Sequence, residues 1–278
     1  MDANLSGEAV CSTRFPPFTS LENQQSRQPN VDDDMNCKVI QIDRREVSKW
    51  TLSRARRAFD ITLSMLALTL SFPIMCAAAI AVRFSSPGPI LFQQQRMGRN
   101  GRVFTLYKFR SMRLAPEEFS PITVTGDSRI TNIGRILRKY KLDELPQFWN
   151  VLRGEMSIVG PRPKLPHHEG LQMPFRPGIT GPATLAFRSE EELLSQIPKQ
   201  YLDAYYERFV KTRKAQIDME YMQTACLKSD LAILWHTAAS CLASYPAKFQ
   251  AELPDFEHIV AEMNLQPTGS SPEPAFYS

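Results

Sequence analysis

The longest hydrophobic feature of the chain is a run without any charged residue, at positions 61–82. As an α-helix rising about 1.5 Å per residue, this run would be about 33 Å long, close to the thickness of the hydrocarbon layer of a bilayer. Three structures are compatible with that length: a buried core helix, a straight transmembrane span, and a broken helix that enters one leaflet and returns.

Two features favour the re-entrant alternative. Pro73 lies in the middle of the run and predicts a kink, and the hydroxyl of the nearby Ser71 can bond a carbonyl group that the proline frees. Basic residues flank the run on both sides, and basic loops stay cytoplasmic. A straight span would put one flank outside, whereas a re-entrant helix keeps both inside. The flanking cations are Arg44, Arg45, Lys49, Arg54, Arg56 and Arg57 before the run, and Arg83, Arg96, Arg99 and Arg102 after it.

The remaining pattern predicts an α+β fold, mostly helical, in which a short β-hairpin follows the Pro-broken re-entrant membrane helix. Alternating residues on both sides of Asn100-Gly101 predict the hairpin, with that dipeptide at its turn. Helices are expected at 129–141, 144–153, 190–211 and 216–245, a strand at 156–159 and a proline-rich loop at 160–178. The predicted organisation is a flexible tail at 1–45, the basic flank and membrane helix at 46–83, a cytosolic domain at 84–245 and a flexible tail at 246–278.

Composition and charge narrow the possible functions. A hydrophobic fraction of 43% excludes a wholly disordered chain, and a mean hydropathy of −0.29 excludes a multi-span transporter. Residues 96–141 contain eleven basic and three acidic residues, a net charge of +8. Such a patch could be a solvated face or could bind nucleic acid, but no nucleic-acid module is recognisable. Beside a membrane segment it suits anionic headgroups and phosphates, and the amphipathic helix at 129–141 either rests at the interface or packs on the core.

An acidic pair, Asp143-Glu144, follows the basic patch. Asp143 is placed to cap the next helix, with Pro146 in the first turn, so the helix dipole and the neighbouring cations should favour its ionised form. An ionised carboxylate among phosphate-binding cations can attack phosphorus, and Glu144 is a natural ligand for Mg²⁺. The alternative is that Asp143 is only a cap and Glu144 only a surface charge.

Further cations are placed to meet phosphate groups. Pro161 and Pro163 restrict the backbone on both sides of Arg162, which suits a guanidinium that binds phosphate in a fixed geometry. Lys108 and Arg110 occupy alternate positions of a predicted strand, so their side chains are expected on one face.

Five motifs in one order give the chain a specific resemblance. It resembles the bacterial sugar transferase family of small monotopic polyprenyl-phosphate phosphoglycosyl transferases from about residue 54 to residue 242. The motifs are Phe92-x-Gln-x-Arg96-x-Gly98-x-x-Gly101, Lys108-Phe-Arg-Ser-Met112, Leu142-Asp-Glu-Leu-Pro-Gln147, Asn150-Val-Leu-x-Gly154 and Gly160-Pro-Arg-Pro163.

The resemblance implies an activity. Family members transfer sugar-1-phosphate from a UDP-sugar to undecaprenyl phosphate at the cytoplasmic face of the bacterial inner membrane and release UMP, initiating exopolysaccharide, O-antigen or other glycan assembly. Membrane lipid and downstream membrane glycosyltransferases would be partners, and nucleic acid would not. The alternative is a non-enzymatic scaffold that binds anionic lipid.

The resemblance also implies roles for individual residues. Asp143 would form a phosphosugar-aspartyl intermediate in a ping-pong reaction, and Glu144 would hold Mg²⁺ on the diphosphate. After Gly181 the chain lacks a Gln and a Gly-Arg pair that many members have, so no residues are implied for the sugar or the uracil. The implied phosphate or substrate contacts are Arg138, Arg162 with its flanking Pro161 and Pro163, Lys108, Arg110 and Asp230.

Overall fold

The computed structural model describes residues 43–113, 128–166 and 173–242. Within these residues the chain forms the predicted mixture of helices and short strands, in which helices surround two small sheets. The tails predicted to be flexible lie outside the described residues, apart from positions 43–45.

The uncharged run forms the central part of one long helix, α1, at Arg54–Ser85. Ser53 caps its first turn by accepting a hydrogen bond from the main-chain N–H of Arg56 at 3.0 Å. Among the described residues it is the one helix long and apolar enough to cross a membrane, with a mean hydropathy of 2.2 in its most apolar window. Its secondary structure is continuous through Pro73, so the re-entrant path stays a prediction.

The predicted hairpin is confirmed. Strand β1 at Leu91–Met97 pairs antiparallel with β2 at Val103–Phe109, in a register that places Leu91 opposite Phe109. Asn100 and Gly101 lie in the connecting turn with φ values of 55° and 74°. Asparagine and glycine are the residues that adopt this left-handed conformation most readily, which explains why the dipeptide indicates the turn correctly.

Two short helices come next among the described residues. Helix α2 spans Asn132–Lys139 and α3 spans Gln147–Arg153, so both are shorter than the sequence predicted. Gly134 allows α2 to approach the main chain of Ser111 so closely that a Cβ atom would overlap its carbonyl group. Helix α3 stops at Gly154, whose φ of 83° ends the helical geometry.

A second sheet follows α3. Strand β3 at Ser157–Val159 confirms the predicted strand, and it pairs in parallel with β4 at Gly178–Thr180, at the end of the proline-rich loop. The hydrogen bonds between Gly160 and Thr180, and between Gly178 and Pro161, continue this pairing at 2.8 Å each. The loop that contains Arg162 therefore begins directly from a buried strand.

The helical part after β4 is divided differently from the prediction. The expected helix at 190–211 is interrupted before Pro198, because proline has no N–H and restricts the residue before it. The expected gap between 211 and 216 is absent, and the break comes at Ala225 instead. The helices are α4 at Pro182–Ala186, α5 at Glu190–Ser195, α6 at Lys199–Tyr205, a π-helical turn at Tyr206–Lys211, α7 at Thr212–Thr224 and α8 at Leu227–Leu242.

Three hydrophobic clusters hold these elements together. The largest joins β2, α3, the second sheet, α7 and α8, and another packs α5, α6 and the π-helical turn against one another. The third lies between the second half of α1, β2 and α2, and is formed by Ala78, Val82, Phe109 and Leu137. The third cluster matters for the site because Leu142, directly before the acidic pair, packs against it.

Candidate active site

The acidic pair lies on a short 3₁₀ turn, Leu142–Glu144, between α2 and α3. Lys141 begins the turn in the left-handed conformation, with a φ of 57°. The predicted capping role of Asp143 is wrong, because Pro146 is the residue that precedes the first turn of α3. Leu142 packs against the third hydrophobic cluster, which includes Ala78 and Val82 of α1. This cluster therefore supports the turn that carries the two carboxyl groups.

Asp143 is buried, with 6% of its surface exposed, and its Oδ1 atom has no hydrogen-bond partner. Burial raises the pKa of this carboxyl group, and the charge of Glu144 raises it further. Lys108, Lys141 and Arg138 lower the pKa without cancelling these effects. The sequence predicted the opposite direction, because it gave Asp143 a helix dipole that the turn does not provide and took no account of burial.

Glu144 has the opposite surroundings. Its carboxylate accepts hydrogen bonds from Arg162 Nη2 at 2.9 and 3.1 Å and from Lys108 Nζ at 3.2 Å. Burial alone would raise the pKa of Glu144, but Arg162 and Lys108 outweigh it and hold the pKa far below its usual range. The structure therefore brings together three of the predicted site residues in one ion-paired group.

Hydrogen bonds fix the main chain on both sides of Arg162 and also its guanidinium group. Pro161 and Pro163 are buried, the carbonyl oxygen of Pro161 accepts from Gly178 at 2.8 Å, and that of Pro163 accepts from Arg96 Nη1 at 3.0 Å. The Nε atom of Arg162 lies 3.4 Å from Thr184 Oγ1 on α4. Hydrogen bonds therefore hold both the main chain around Arg162 and its guanidinium, and the contribution of the proline rings stays a prediction.

The acidic first turn of α5 reaches two further cations. Glu191 forms an ion pair with Arg138, the cation that also acts on Asp143. Glu190 binds Lys214 Nζ through both carboxylate oxygens, each at 2.6 Å. Arg138 is thus near the acidic pair as predicted, but its guanidinium is engaged by a carboxylate that the sequence did not indicate.

Two of the predicted substrate-binding residues, Arg110 and Asp230, are engaged elsewhere in the fold. Arg110 donates to the main-chain carbonyl oxygens of Ser86 at 2.6 Å and of Pro89, and it ties the hairpin to the end of α1. Asp230 is buried, accepts from Trp50 Nε1 at 3.0 Å and from the hydroxyl of Tyr221, and lies 3.4 Å from Arg56 Nε. Among the described residues neither contacts Asp143 or Glu144, and both connect elements of the fold, so substrate binding by Arg110 and Asp230 stays a prediction.

The predicted role of Ser71 is also not found. Its hydroxyl is buried but has no hydrogen-bond partner, whereas Thr69, four residues before Pro73, donates to the carbonyl oxygen of Met65 at 2.9 Å. Pro73 itself is exposed within α1. The expectation that Ser71 bonds the carbonyl freed by the proline is therefore wrong in this structure.

A further buried carboxyl group, which the sequence did not indicate, lies on α7. Asp218 on α7 is 7% exposed, and its Oδ1 atom has no hydrogen-bond partner. Burial raises its pKa to about 7, although Lys164, the main-chain N–H of Ala183 and Lys214 act in the opposite direction. The directly flanking residues, Ile217 and Met219, are apolar, and Asp218 is buried where α7 packs against α4.

The carboxylate oxygens of the turn are of the kind that binds Mg²⁺. Hard cations of this kind are usually bound by one or two carboxylates together with substrate phosphates. Asp143 and Glu144 supply adjacent carboxylates, and Asp143 Oδ1 is a buried oxygen without a partner. The described residues contain no cluster of three or more metal-binding side chains, so a cation here would depend on oxygen atoms of the substrate for most of its ligands.

The fold and the site define a class: an α+β domain on one apolar helix, with an acidic pair among fixed cations beside that helix. The chain belongs to the bacterial sugar transferase family, whose sequence pattern it matches over residues 51–244. This confirms the resemblance that the motifs indicated.

Curated relatives differ in the sugar named. The chain is 38% identical over 194 residues to UDP-glucose:undecaprenyl-phosphate glucose-1-phosphate transferase of Escherichia coli K12, covering 66% of this chain and 39% of the relative. It is 34% identical over 205 residues, 69% of the chain and 45% of the relative, to UDP-N-acetylgalactosamine-undecaprenyl-phosphate N-acetylgalactosaminephosphotransferase of Aeromonas hydrophila. A Caulobacter vibrioides relative with the same name as the E. coli protein is 36% identical over 203 residues, covering 68% of the chain and 70% of the relative. The chain thus spans less than half the length of the first two relatives.

Proposed function

We propose that the protein transfers sugar-1-phosphate from a UDP-sugar to undecaprenyl phosphate at the cytoplasmic face of the bacterial inner membrane, with release of UMP. The observation that carries this proposal is the 3₁₀ turn at Leu142–Glu144, where a buried carboxyl group with an unpartnered oxygen lies beside an ion-paired carboxylate. Family membership and the names of the relatives support the same reaction.

The reaction would proceed in two displacements at Asp143. An oxygen of its carboxylate attacks the phosphorus that carries the sugar, and the bond from that phosphorus to the bridging oxygen breaks as UMP leaves. An oxygen of undecaprenyl phosphate then attacks the same phosphorus, and the bond to Asp143 breaks, which restores the carboxylate. Both displacements use one nucleophilic position in turn, so the soluble and the lipid substrate need not be bound together.

The cations around the turn would bind the phosphate groups during these steps. Arg162 and Lys108 already converge on Glu144, and Arg138 lowers the pKa of Asp143 from a position near it. Mg²⁺ bound at Glu144 and the substrate diphosphate would offset the charge that develops on the departing UMP. Fixed donors of this kind stabilise a transition state without having to reorganise.

We also propose that α1 enters one leaflet and returns. Asp60 and Ser64 near its start, and Ala78 and Val82 near its end, are buried, whereas no residue from 65 to 77 is. The two buried pairs are separated by 18 positions, about five helical turns, so they lie on one side of the helix. Both ends of α1 thus contact the same domain, whereas its apolar centre is exposed. This arrangement supports a path in which lipid covers the middle of the helix.

The position of Lys49 tests this path. A Lys49→Cys variant has an exposed thiol just before α1, and on a re-entrant path it stays unlabelled by an impermeant maleimide in intact cells. Permeabilised cells provide the positive control, and the parent chain gives the background from its own cysteines. Labelling of intact cells above that background would contradict the re-entrant path.

The reaction is tested by UMP release from a panel of UDP-sugars with undecaprenyl phosphate and Mg²⁺. We expect release with one or a few sugars, and loss of it in Asp143→Asn, an uncharged variant of nearly equal size. An intermediate trapped without the lipid acceptor should carry the mass of a hexose phosphate at residue 143. Salt-sensitive liposome binding without turnover of any UDP-sugar would instead indicate a non-enzymatic lipid-binding scaffold. The products would enter exopolysaccharide, O-antigen or another glycan assembly through downstream membrane glycosyltransferases.

A further inference from the structure

A second concentration of positive charge lies at the start of α1. A small, open pocket, called the cavity below, is formed there by the first turns of α1, the turn of the hairpin and the segment before β4. Asp143, Glu144 and Arg162 do not line it. The charged side chains that do are Arg56, Arg57, Asp60, Arg99 and Arg176, and the hydroxyl-bearing ones are Thr51, Ser53 and Ser157.

The one acidic residue of the cavity already has partners. Asp60 accepts hydrogen bonds from Ser157 Oγ at 2.9 and 3.1 Å and from the main-chain N–H of Ile158 at 3.0 Å. Its carboxylate is buried and belongs to the contact between α1 and β3. Asp60 can balance at most one of the four guanidinium charges, and Arg56 has a further partner in Asp230.

Main-chain groups orient two of the remaining arginines. Arg57 donates to the carbonyl oxygens of Val151 at 2.7 Å and Leu152 at 3.0 Å, and Arg176 Nε donates to that of Gly154 at 2.7 Å. These carbonyl groups lie at the end of α3, where the helix dipole favours cations. They fix the guanidinium groups but supply only partial negative charge.

Among the described residues, Arg99 has neither kind of partner. Its side chain lines the cavity, and its Nε atom is buried without a hydrogen bond. Burial and the neighbouring cations Arg176, Arg44 and Arg102 lower the pKa of Arg99. A buried donor without an acceptor is costly, and an anion bound between these arginines would relieve both the missing bond and the repulsion.

The location of the cavity indicates the kind of anion. Its α1 residues end at Asp60, and the uncharged run begins at the next position. Where α1 enters a bilayer, the cavity therefore lies at the level of the phospholipid headgroups. Guanidinium groups bind phosphate oxygens through pairs of parallel hydrogen bonds. We propose that the cavity between Arg57, Arg99 and Arg176 is a phosphate-binding site for the headgroup of an anionic membrane phospholipid, separate from the site at Asp143.

The proposal is tested on the full chain in an uncharged detergent by thermal unfolding at increasing probe concentration. The probes are short-chain phosphatidylglycerol, short-chain phosphatidylcholine as the zwitterionic control, and inorganic phosphate. We expect phosphatidylglycerol to raise the Tm more than phosphatidylcholine does. Arg99→Ala should raise the phosphatidylglycerol concentration that gives half of this Tm shift about tenfold, because the variant loses one charge-assisted hydrogen bond. Arg99→Lys, which keeps the charge but not the paired donors, should fall between.

Two matched variants distinguish binding in this cavity from a general effect of charge and from binding at Asp143. Arg83→Ala removes the same charge from the exposed opposite end of α1 and should leave the phosphatidylglycerol shift unchanged. Asp143→Asn should abolish UMP release but keep the shift, so failure of the proposed reaction and failure of this site are distinguishable. Three results would overturn the proposal. The first is an equal loss of the Tm shift in Arg99→Ala and Arg83→Ala, and the second is loss of the shift in Asp143→Asn. The third is no preference for phosphatidylglycerol together with no shift from inorganic phosphate. A shift from inorganic phosphate with the same dependence on Arg99 would support phosphate binding and assign it to free phosphate.

Discussion

Asp143 and Glu144 are adjacent in the chain, yet their carboxyl groups have opposite electrostatic surroundings. Two cations bind Glu144 directly, whereas one oxygen of Asp143 is buried without a partner. The raised pKa of Asp143 makes its ionised form more basic than that of an ordinary aspartate, and the fixed charge of Glu144 contributes to this effect. Such pairs, whose environments move the two pKa values apart, are typical of sites where the groups have different tasks.

This environment predicts a pH dependence. Lys141 lowers the pKa of Asp143, so Lys141→Gln should raise that pKa further. Because Asp143 must be ionised to act as the proposed nucleophile, the acidic limb of the kcat/KM profile should move to higher pH in the variant. UMP release measured across pH checks this, with Lys139→Gln as the exposed control on α2. An unchanged limb, or a move to lower pH, would contradict the assignment of the limb to Asp143.

Asp218 predicts a pH dependence of stability. Its pKa is raised from 3.8 to about 7 in the folded state, so the folded protein retains a proton that the unfolded chain has lost. The stability that this proton provides is complete below pH 3.8 and is lost as the pH rises towards 7. The Tm of the native protein minus that of Asp218→Asn should therefore decrease between pH 5 and pH 8. The exposed Asp203→Asn should show no such trend, and a difference that increases with pH would disprove the prediction.

At the scale of elements, the acidic first turn of α5 forms an ion pair with Arg138, one of the cations of the proposed reaction. Glu191 forms an ion pair with Arg138, and Glu190 forms one with Lys214. The Nζ atom of Lys214 also lies over the aromatic rings of Phe187 and Tyr206. A bound diphosphate would compete with Glu191 for Arg138. The turn therefore belongs to the energetics of substrate binding, although it provides no atom to the chemistry.

The competition predicts the effect of Glu191→Gln. Removing the carboxylate frees Arg138, so the KM for the UDP-sugar should decrease about two- to fivefold, the range expected for a partly exposed ion pair. The rate constant kcat should change little, because the variant alters only the competition for binding. Glu192→Gln, at an exposed position of the same turn, is the control for charge. An increase in KM would mean that Glu191 positions Arg138 instead of competing for it.

Elements whose boundaries are encoded locally were predicted correctly. Asn100-Gly101 indicates its turn because both residues favour a positive φ, and the short apolar strand before Gly160 is recognisable from its composition. The division of the last helices was not predictable, since helical structure continues through Lys211 and Thr212 as a π-helical turn and then α7. The pairing of β3 with β4 joins segments about twenty residues apart and has no local signal.

At the scale of the whole molecule, the apolar helix and the site form one packed unit. Val82 is fully buried beside Phe109 and Leu137, and Leu142 on the acidic turn packs against the same cluster. Arg110, which donates to the carbonyl oxygens of Ser86 and Pro89, fixes the end of α1 to the hairpin. The sequence predicted the helix and the acidic pair separately, but their contact depends on three-dimensional packing that no local pattern encodes.

This contact predicts that a substitution within α1 will reduce turnover. Val82→Ala should cost about 1–3 kcal/mol of stability through the cavity that it leaves, and should lower kcat because the support of Leu142 is loosened. Ile80→Ala, on the same helix with 60% of its side chain exposed, should change neither quantity in detergent. Thermal unfolding and UMP release measure the two effects, and a fully active Val82→Ala protein would refute the link.

The exposed centre of α1 has a consequence for how the protein must be handled. From Met65 to Ala77 the helix has no buried residue, so the domain holds that segment only through the two ends of the helix. An amphiphile would cover the exposed surface of that segment, and Val82 and Leu142 connect the helix to the turn that carries Asp143, the proposed nucleophile. We therefore expect the rate of UMP release to depend on lipid thickness and to differ between micelles and a bilayer.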